Sequence, residues 1–506
     1  MGRGGDTANA KVPKYTMAQV AQHNQKGDAW LVYRSRVFDV SNWSAHPGGQ
    51  IIFTHAGRDA TEVFNAFHPG SAYPLLDRFY VGDLVVADRA KRTAFAADMD
   101  ILRAKVRKMG LHKARCVQQL WFCCLGVRYA NVSVLLSACG GVRARRCCVL
   151  RHLFGPFCVS PAPTCPDRSG MYYVWKVSSN MMIWALGAAC VAYSQGSMAM
   201  LMLGAFFIGL FWQQCGWLAH DFCHHQVFDN RLWGDIFGLV IGNVWQGFSV
   251  EWWKDKHNTH HAIPNMHETE KGAHDGDPDI DTMPLLAWSQ KMARGAVDAG
   301  PIGRFFIKHQ AFLYFPILLI ARISWLMQSF TFVFRFQSPW NQEFKHDEPL
   351  RLGIWEHIGL LAYYGWNLAL MVLYMTPVQS VIFFLASQMM CGLMLAISFG
   401  LGHNGMATYD ADKTPEYYEW QITTTRNVHG SWVVGWFMGG LHLQVEHHLF
   451  PDIPRHNLGK LRSMVEPLCA KHGIKYTSTS MWTGTKDVLN HLAEVTTELI
   501  NEFPGL

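Results

Sequence analysis

The chain has 506 residues, half of them hydrophobic, 13% aromatic and only 16% charged. Soluble globular chains carry about 25% charged residues, so this composition excludes a disordered chain and points to a membrane. The net charge of +6, from 44 basic and 38 acidic residues, is too mild to argue for a nucleic-acid partner. It suits a protein facing an anionic cytoplasmic leaflet.

Met1 to Lys14 reads as an N-terminal tail. It has no apolar run, so it is no secretory signal peptide. Asp6 stands where a myristoylation pattern needs Ser or Thr. Membrane attachment is therefore expected from internal spans.

Residues 15–86 read as a small α+β domain. Strand-like runs at Trp30–Tyr33 and Val37–Val40 alternate with turn residues, and helical patterns fall near Ala18–Asn24 and Ala60–Ala66. Two histidines stand out, His46 in His46-Pro47-Gly48-Gly49 and His68 in Phe67-His68-Pro69-Gly70. A b-type haem that only carries electrons takes two axial imidazoles, which leaves no open site for oxygen. Asp39-Val40-Ser41 before the motif, Gly57-Arg58-Asp59-Ala60-Thr61 after it and Tyr80-Val81-Gly82-Asp83-Leu84 at the end complete the pattern. This unit resembles the cytochrome b5 family over essentially all of residues 15–86. The resemblance implies that His46 and His68 are the axial ligands of haem b.

Residues 87–115 form a charged, helix-prone linker. Residues 116–169 look foreign to both neighbours. They hold eight of the 13 cysteines, then Arg143, Arg145, Arg146 and Arg151, and four prolines, with no surviving period. No two cysteine pairs have zinc-ribbon spacing, and the thiols read as reduced. Three readings stand: a metal-binding or palmitoylated insert, an unstructured insertion, or translated intron. The last is preferred.

Membrane blocks fill residues 170–506. Val177–Ala219 contains no Asp, Glu, Lys or Arg, enough for two spans of about 20 residues with a turn at Ser194-Gln195-Gly196-Ser197. His357–Tyr409 is likewise free of them, and Thr376-Pro377 divides it into a second pair. Phe312–Phe334 carries Arg322 in its middle. A charge at the bilayer centre costs about 2.5–3.5 kcal/mol on insertion scales, so this segment is expected in the interface, with Arg322 reaching water. Leu232–Phe248, with Asp235, is expected there too.

Three histidine clusters sit just outside the blocks: His220-Asp221-Phe222-Cys223-His224-His225, His257-Asn258-Thr259-His260-His261 and Gln444-Val445-Glu446-His447-His448. Residues three and four apart share a helix face, so each cluster can aim two side chains at one point. Eight histidines and Gln444 exceed the needs of one tetrahedral zinc. Two non-haem irons fit the count and the ligand type better. An even number of spans between the second and third clusters is required if all three are to meet on one side. That condition independently keeps Phe312–Phe334 in the interface.

With these clusters in place the chain resembles the front-end fatty acyl desaturases, in which cytochrome b5 is fused to a membrane di-iron domain. The resemblance covers nearly everything except residues 116–169. Gly216-Trp217-Leu218-Ala219, Asp277-Pro278-Asp279-Ile280-Asp281 and Leu449-Phe450-Pro451 match around the boxes. Gln246-Gly247-Phe248-Ser249 and Trp252-Trp253-Lys254 resemble fungal and algal delta-6 acyl-lipid desaturases most.

The resemblance implies an all-α integral-membrane di-iron domain of four transmembrane helices plus interfacial helices. It implies metal ligands His220, His224, His225, His257, His260, His261, His403, Gln444, His447 and His448. It further implies an acyl-lipid or acyl-CoA substrate, O2, an NADH–cytochrome b5 reductase and the endoplasmic reticulum membrane. Asp221 and Glu446 are expected to orient imidazoles; Asp277, Asp279 and Asp281 either do the same or form a solvated loop, the loop being slightly preferred; and Trp366, Gln388 and Met394 are expected to line the acyl tunnel. The implied reaction is delta-6 desaturation of C18 acyl chains. Alternatives are a delta-5 or delta-8 acyl desaturase, a sphingoid-base delta-8 desaturase, an acyl hydroxylase and, in another class, a membrane haem electron carrier.

Overall fold

The computed structural model describes residues 12–43, 46, 48–68, 72–88, 92–112, 168–268, 276–298, 300–336 and 350–504. Pro47, Pro69, Gly70 and nearly all of the expected insert lie outside the described residues.

The N-terminal domain is built on a six-stranded sheet. Its order is β1 (Lys14–Tyr15), β6 (Tyr80–Leu84), β4 (Arg36–Asp39), β3 (Asp28–Tyr33) and β2 (Asn24–Gln25), with β5 (Arg58–Asp59) also on β3. Arg34 and Ser35 both take positive φ, 50° and 62°. That is the two-residue turn whose twist suits a hairpin, and it joins β3 to β4. The helix expected over Ala18–Asn24 stops at Val20, because Asn24 instead pairs with Ala29 in the sheet. Helix α1 (Thr61–Phe67) leads directly into His68.

The linker is a docked helix. In α2 (Ala94–Lys108) the Thr93 hydroxyl caps the start by accepting from the Ala96 N–H, and basic residues fill the last turn. Phe95, Met99, Leu102 and Val106 recur at helical spacing and are buried. They join Ala66 of α1 and residues such as Tyr418, Leu449 and Leu461 in one apolar cluster.

The remainder is helical. α3 (Arg168–Ala192) and α4 (Met198–Cys223) form the first hairpin, turning through Gln195 and Gly196 at positive φ. α7 (Ile354–Tyr374) and α8 (Pro377–His403) form the second, and Thr376 with Gln379 makes a capping box before Pro377. Between them lie α5 (Val250–Ala262) and α6 (Gln310–Val333). After them come α9 (Tyr417–Thr423), α10 (Gln444–Leu449), α11 (Leu458–His472) and α12 (Met481–Glu502). At Gly209 of α4 a Cβ would lie 2.9 Å from the Ser387 carbonyl of α8, so glycine permits the close approach typical of membrane helices.

Among the described residues three helices, α4, α6 and α8, are long and apolar enough to cross a membrane. The contacts of α6 set it apart. Near its start, Tyr314 reaches Gly400, where a Cβ would meet its hydroxyl at 2.6 Å. At its far end Phe334 lies edge-on to His357, 5.1 Å between centroids. Gly400 is in the last turn of α8 and His357 in the first turn of α7. Those turns occupy the same end of the hairpin, since Tyr363 and Gln388 are hydrogen-bonded across it. Both of these contacts fall toward the same end of the hairpin, while between them α6 packs closely along α8, where a Cβ at Gly392 would meet the Leu319 carbonyl at 3.0 Å. Arg322 does not reach water as expected. It is fully buried, donates to the Gln246 carbonyl and lies within 6.0 Å of the Trp212 and Tyr363 ring centres.

The expected interfacial segment 232–248 is helix Arg231–Leu239 running into a wider π-helical turn over Val240–Gln246. Its Asp235 is buried and pairs with Lys254 and Arg351. The tunnel expectation meets a packed polar contact here: Gln388 is buried against the Tyr363 hydroxyl, and Trp366 donates to the Val244 carbonyl.

Candidate functional site

The two histidines of the first domain face each other, with ring centres 6.0 Å apart. His46 Nδ1 is 3.2 Å from the Gly49 carbonyl and His68 Nδ1 is 3.1 Å from the Phe64 carbonyl. Each carbonyl can only accept, so each Nδ1 carries the proton and each Nε2 keeps its lone pair. Two metal–imidazole bonds of about 2.0–2.1 Å, with the rings behind them, span roughly 6 Å. Burial pushes the His46 imidazole below its usual range. Burial, then the neighbouring His46, lowers His68 to about 4. Both are therefore neutral, as axial ligands must be. Trp43 and Phe64 pack on the two rings, and a Cβ at Gly48 would strike His46 at 2.8 Å. The donor set fits a bis-histidine haem.

The second site collects helix ends. α4 and α8 end at the same side of the bundle, while α5 and α10 lie over those ends. Nitrogens of His220, His224, His257, His261 and His447 all lie within 4.8 Å of one another. A second set is formed by His260, His403 and His448. The Nε2 atoms of His220 and His447 are 3.0 Å apart, those of His257 and His261 3.1 Å, and those of His260 and His403 3.2 Å. Gln444 reaches His403 Nε2 at 2.8 Å. Nε2 of His224 and of His448 is buried with no hydrogen-bond partner. Orphaned polar atoms in a buried core ask for an ion, and lone pairs at such separations fit two of them.

Charge supports this. Burial first, then mutual repulsion among the rings, pushes His257, His261, His447 and His448 well below the usual range. They are neutral donors. His260 differs: burial opposes its charge, but Asp277 and Asp279 outweigh it and raise it to about 9.

Asp277 is not part of a solvated loop. It is buried, and its carboxylate accepts from His260 Nδ1 at 2.9 Å and from the Asn265 N–H. It thereby fixes the tautomer that points Nε2 at the cluster. Asp221 lies 3.3 Å from His220 Nδ1 and is held by Arg455 and Tyr173. Glu446 does not orient an imidazole; it accepts from Asn427 and Tyr476. That task belongs to Gln421, whose Oε1 accepts from His448 Nδ1 at 2.9 Å while its amide donates to the His261 carbonyl. No motif marks Gln421 in the sequence.

His225 stands apart from its neighbour. It takes positive φ, 56°, at the end of α4, and its Nε2 lies 3.9 Å from Asp235 outside both nitrogen sets.

The two sites are adjacent. Phe67, beside His68, lies edge-on to His261 with centroids 6.3 Å apart.

Residues 16–85 match the cytochrome b5-like heme/steroid binding domain, and residues 197–480 match the fatty acid desaturase family. The chain is 34% identical to the acyl-lipid (9-3)-desaturase of Physcomitrium patens over 96% of this chain and 79% of the relative. It is 35% identical to the Delta(8)-fatty-acid desaturase of Euglena gracilis, over 92% and 94% of the two chains. It is 30% identical to the Delta(6)-fatty-acid desaturase fat-3 of Caenorhabditis elegans, over 87% and 89%. A haem clamp, two buried nitrogen sets at the end of an apolar bundle, and these likenesses converge: the chain belongs to the membrane-bound fatty acid desaturases, as a front-end member with its own cytochrome b5 domain, haem and di-iron centre.

Proposed function

We propose that the protein inserts a cis double bond at carbon 6 of C18 acyl chains that already carry one at carbon 9. The juxtaposition of His68, Phe67 and His261 carries the broader reading, since it sets a haem clamp against a histidine cluster. His220, His224, His257, His261 and His447 would hold one iron, and His260, His403, His448 and Gln444 the other. Two irons held there would supply, with O2, an oxidant strong enough for an unactivated C–H bond. Two hydrogens leave adjacent carbons, two further electrons and two protons enter, and both oxygen atoms leave as water. Asp277, Gln421 and Asp221 hold the imidazoles of His260, His448 and His220, so ligand geometry is set before substrate arrives. Electrons come from an NADH–cytochrome b5 reductase through the haem domain. α3, α4, α7 and α8 cross the endoplasmic reticulum membrane, and both metal sites face the cytosol. The working units are residues 15–86 and 170–506, with residues 116–169 taking no part.

A second reading, delta-8 desaturation, is favoured by the likeness to the Euglena relative. Yeast expressing the chain and fed linoleate and alpha-linolenate decides between them. Gamma-linolenate and stearidonate support delta-6. Unchanged C18 acids with desaturated C20 chains, or desaturated sphingoid bases, support the alternatives.

A further inference from the structure

Arg103 is the feature that this function leaves unexplained. It sits on the linker helix α2 and is 6% exposed. Burying a guanidinium is costly unless its N–H groups are satisfied. Here one nitrogen, Nη2, donates to the Asn65 carbonyl at 2.9 Å, and the other, Nη1, donates to the Leu449 carbonyl at 2.9 Å. The guanidinium also lies 5.0 Å from the Phe450 ring centre.

Both acceptors are in the last turns of short helices. Asn65 is near the end of α1, three residues before His68; Leu449 closes α10, directly after His448. Carbonyls there have no partner within the helix, and the helix dipole makes the place favourable for a cation. A planar fork with two divergent donors can cap two helices at once, which the point charge of lysine cannot. One helix carries a haem ligand and the other carries iron-site ligands. Between them, Phe67 extends from α1 and presents its edge to His261, at 87° and 6.3 Å.

We propose that Arg103 is a positioning residue for electron delivery: by capping α1 and α10 together it holds Phe67 against His261 and sets the separation of the two metal sites. This rests on the reading of the histidine cluster as an iron site. The step served is transfer of one electron without a proton, in which ferrous haem is oxidised to ferric and one ferric ion of the cluster is reduced to ferrous.

The test uses the full-length protein with Arg103→Ala, Arg103→Lys and Phe67→Leu, the last keeping apolar volume at the contact. Haem content, non-haem iron, the rate of haem reduction by reductase, and the rate of haem reoxidation on mixing with substrate and O2 are measured. Small misplacements of reacting groups can cost about a hundredfold. The expected result is reoxidation slowed about tenfold or more in Arg103→Ala, less in Arg103→Lys and severalfold in Phe67→Leu, with haem, iron and haem reduction unchanged. Unchanged reoxidation in Arg103→Ala and Phe67→Leu at full iron content overturns the proposal. So does slowing that merely tracks iron lost. If Arg103→Ala does not fold, Phe67→Leu decides alone. If the unaltered protein binds haem but no non-haem iron, the iron-site reading itself has failed, and that result is separate from the others.

Discussion

The haem clamp and the histidine cluster solve the same problem at different ranges. His46 and His68 are 22 residues apart, lie within one small domain, and are oriented by backbone carbonyls of Gly49 and Phe64. The cluster draws on residues from His220 to His448 and is oriented by side chains, Asp277, Gln421 and Asp221, from other segments. A backbone acceptor supplies its oxygen whatever side chain its residue carries. A side-chain acceptor does not, so the cluster depends on tertiary assembly that the clamp can do without.

The comparison breaks most sharply if the two sites are not independent in loading. His261→Ala should lower desaturation more than about a hundredfold and strip non-haem iron while leaving the haem spectrum intact. His46→Ala should do the reverse to the metals and also abolish activity. Metal analysis and absorption spectra read both; the unaltered protein should carry about three irons per chain, counting the haem. Loss of both metals in either variant would make them one site.

Asp277→Asn sharpens the contrast. Removing a carboxylate that orients a metal-bound imidazole costs about 10–100-fold in metal affinity or activity. Titration of iron into the metal-depleted protein measures it. Next in size is the adjacent pair. His224→Ala should lower iron occupancy, whereas His225→Ala should leave it unchanged and cost about 1 kcal/mol of stability.

A smaller effect concerns Glu62, which lies on α1 beside Arg92. Burial, opposed by the Arg92 hydrogen bond, raises its carboxyl from 4.5 to about 7. The folded state then holds a proton that the unfolded state loses between pH 4.5 and 7. Stability therefore falls as pH rises through that window, by at most about 1.4 kcal/mol per unit. Denaturation followed by the haem band should show this slope, and Glu62→Gln should flatten it. The smallest effect is expected from deleting residues 116–167: haem and iron contents should not change, and a transcript read across the region should show it removable.

Much of this was legible because the informative residues act locally. The haem domain's strands follow from alternation at Trp30–Tyr33 and Val37–Val40, and the boxes follow from helical spacing of three and four. What was hidden depended on partners far away in sequence. Asp277 looks like one acid among three until it folds under His260. Gln421 carries no motif at all. Arg322 reads as a charge that must find water, yet Gln246 and two aromatic rings enclose it. His224 and His225 are indistinguishable by type, and only the left-handed backbone at His225 separates them.

The apolar cluster that joins Ala66, the inner face of the linker helix, and Leu449 with Leu461 has a consequence for modularity. A haem domain grafted from another protein would bring its own ligands and sheet, but it would meet a surface shaped for Val63, Ala66 and Phe67 and already occupied by α2. The exchangeable part is therefore larger than the fold boundary at residue 86. A chimera that keeps the donor's first domain together with its matching linker helix carries one side of that joint intact; one cut at the boundary carries neither.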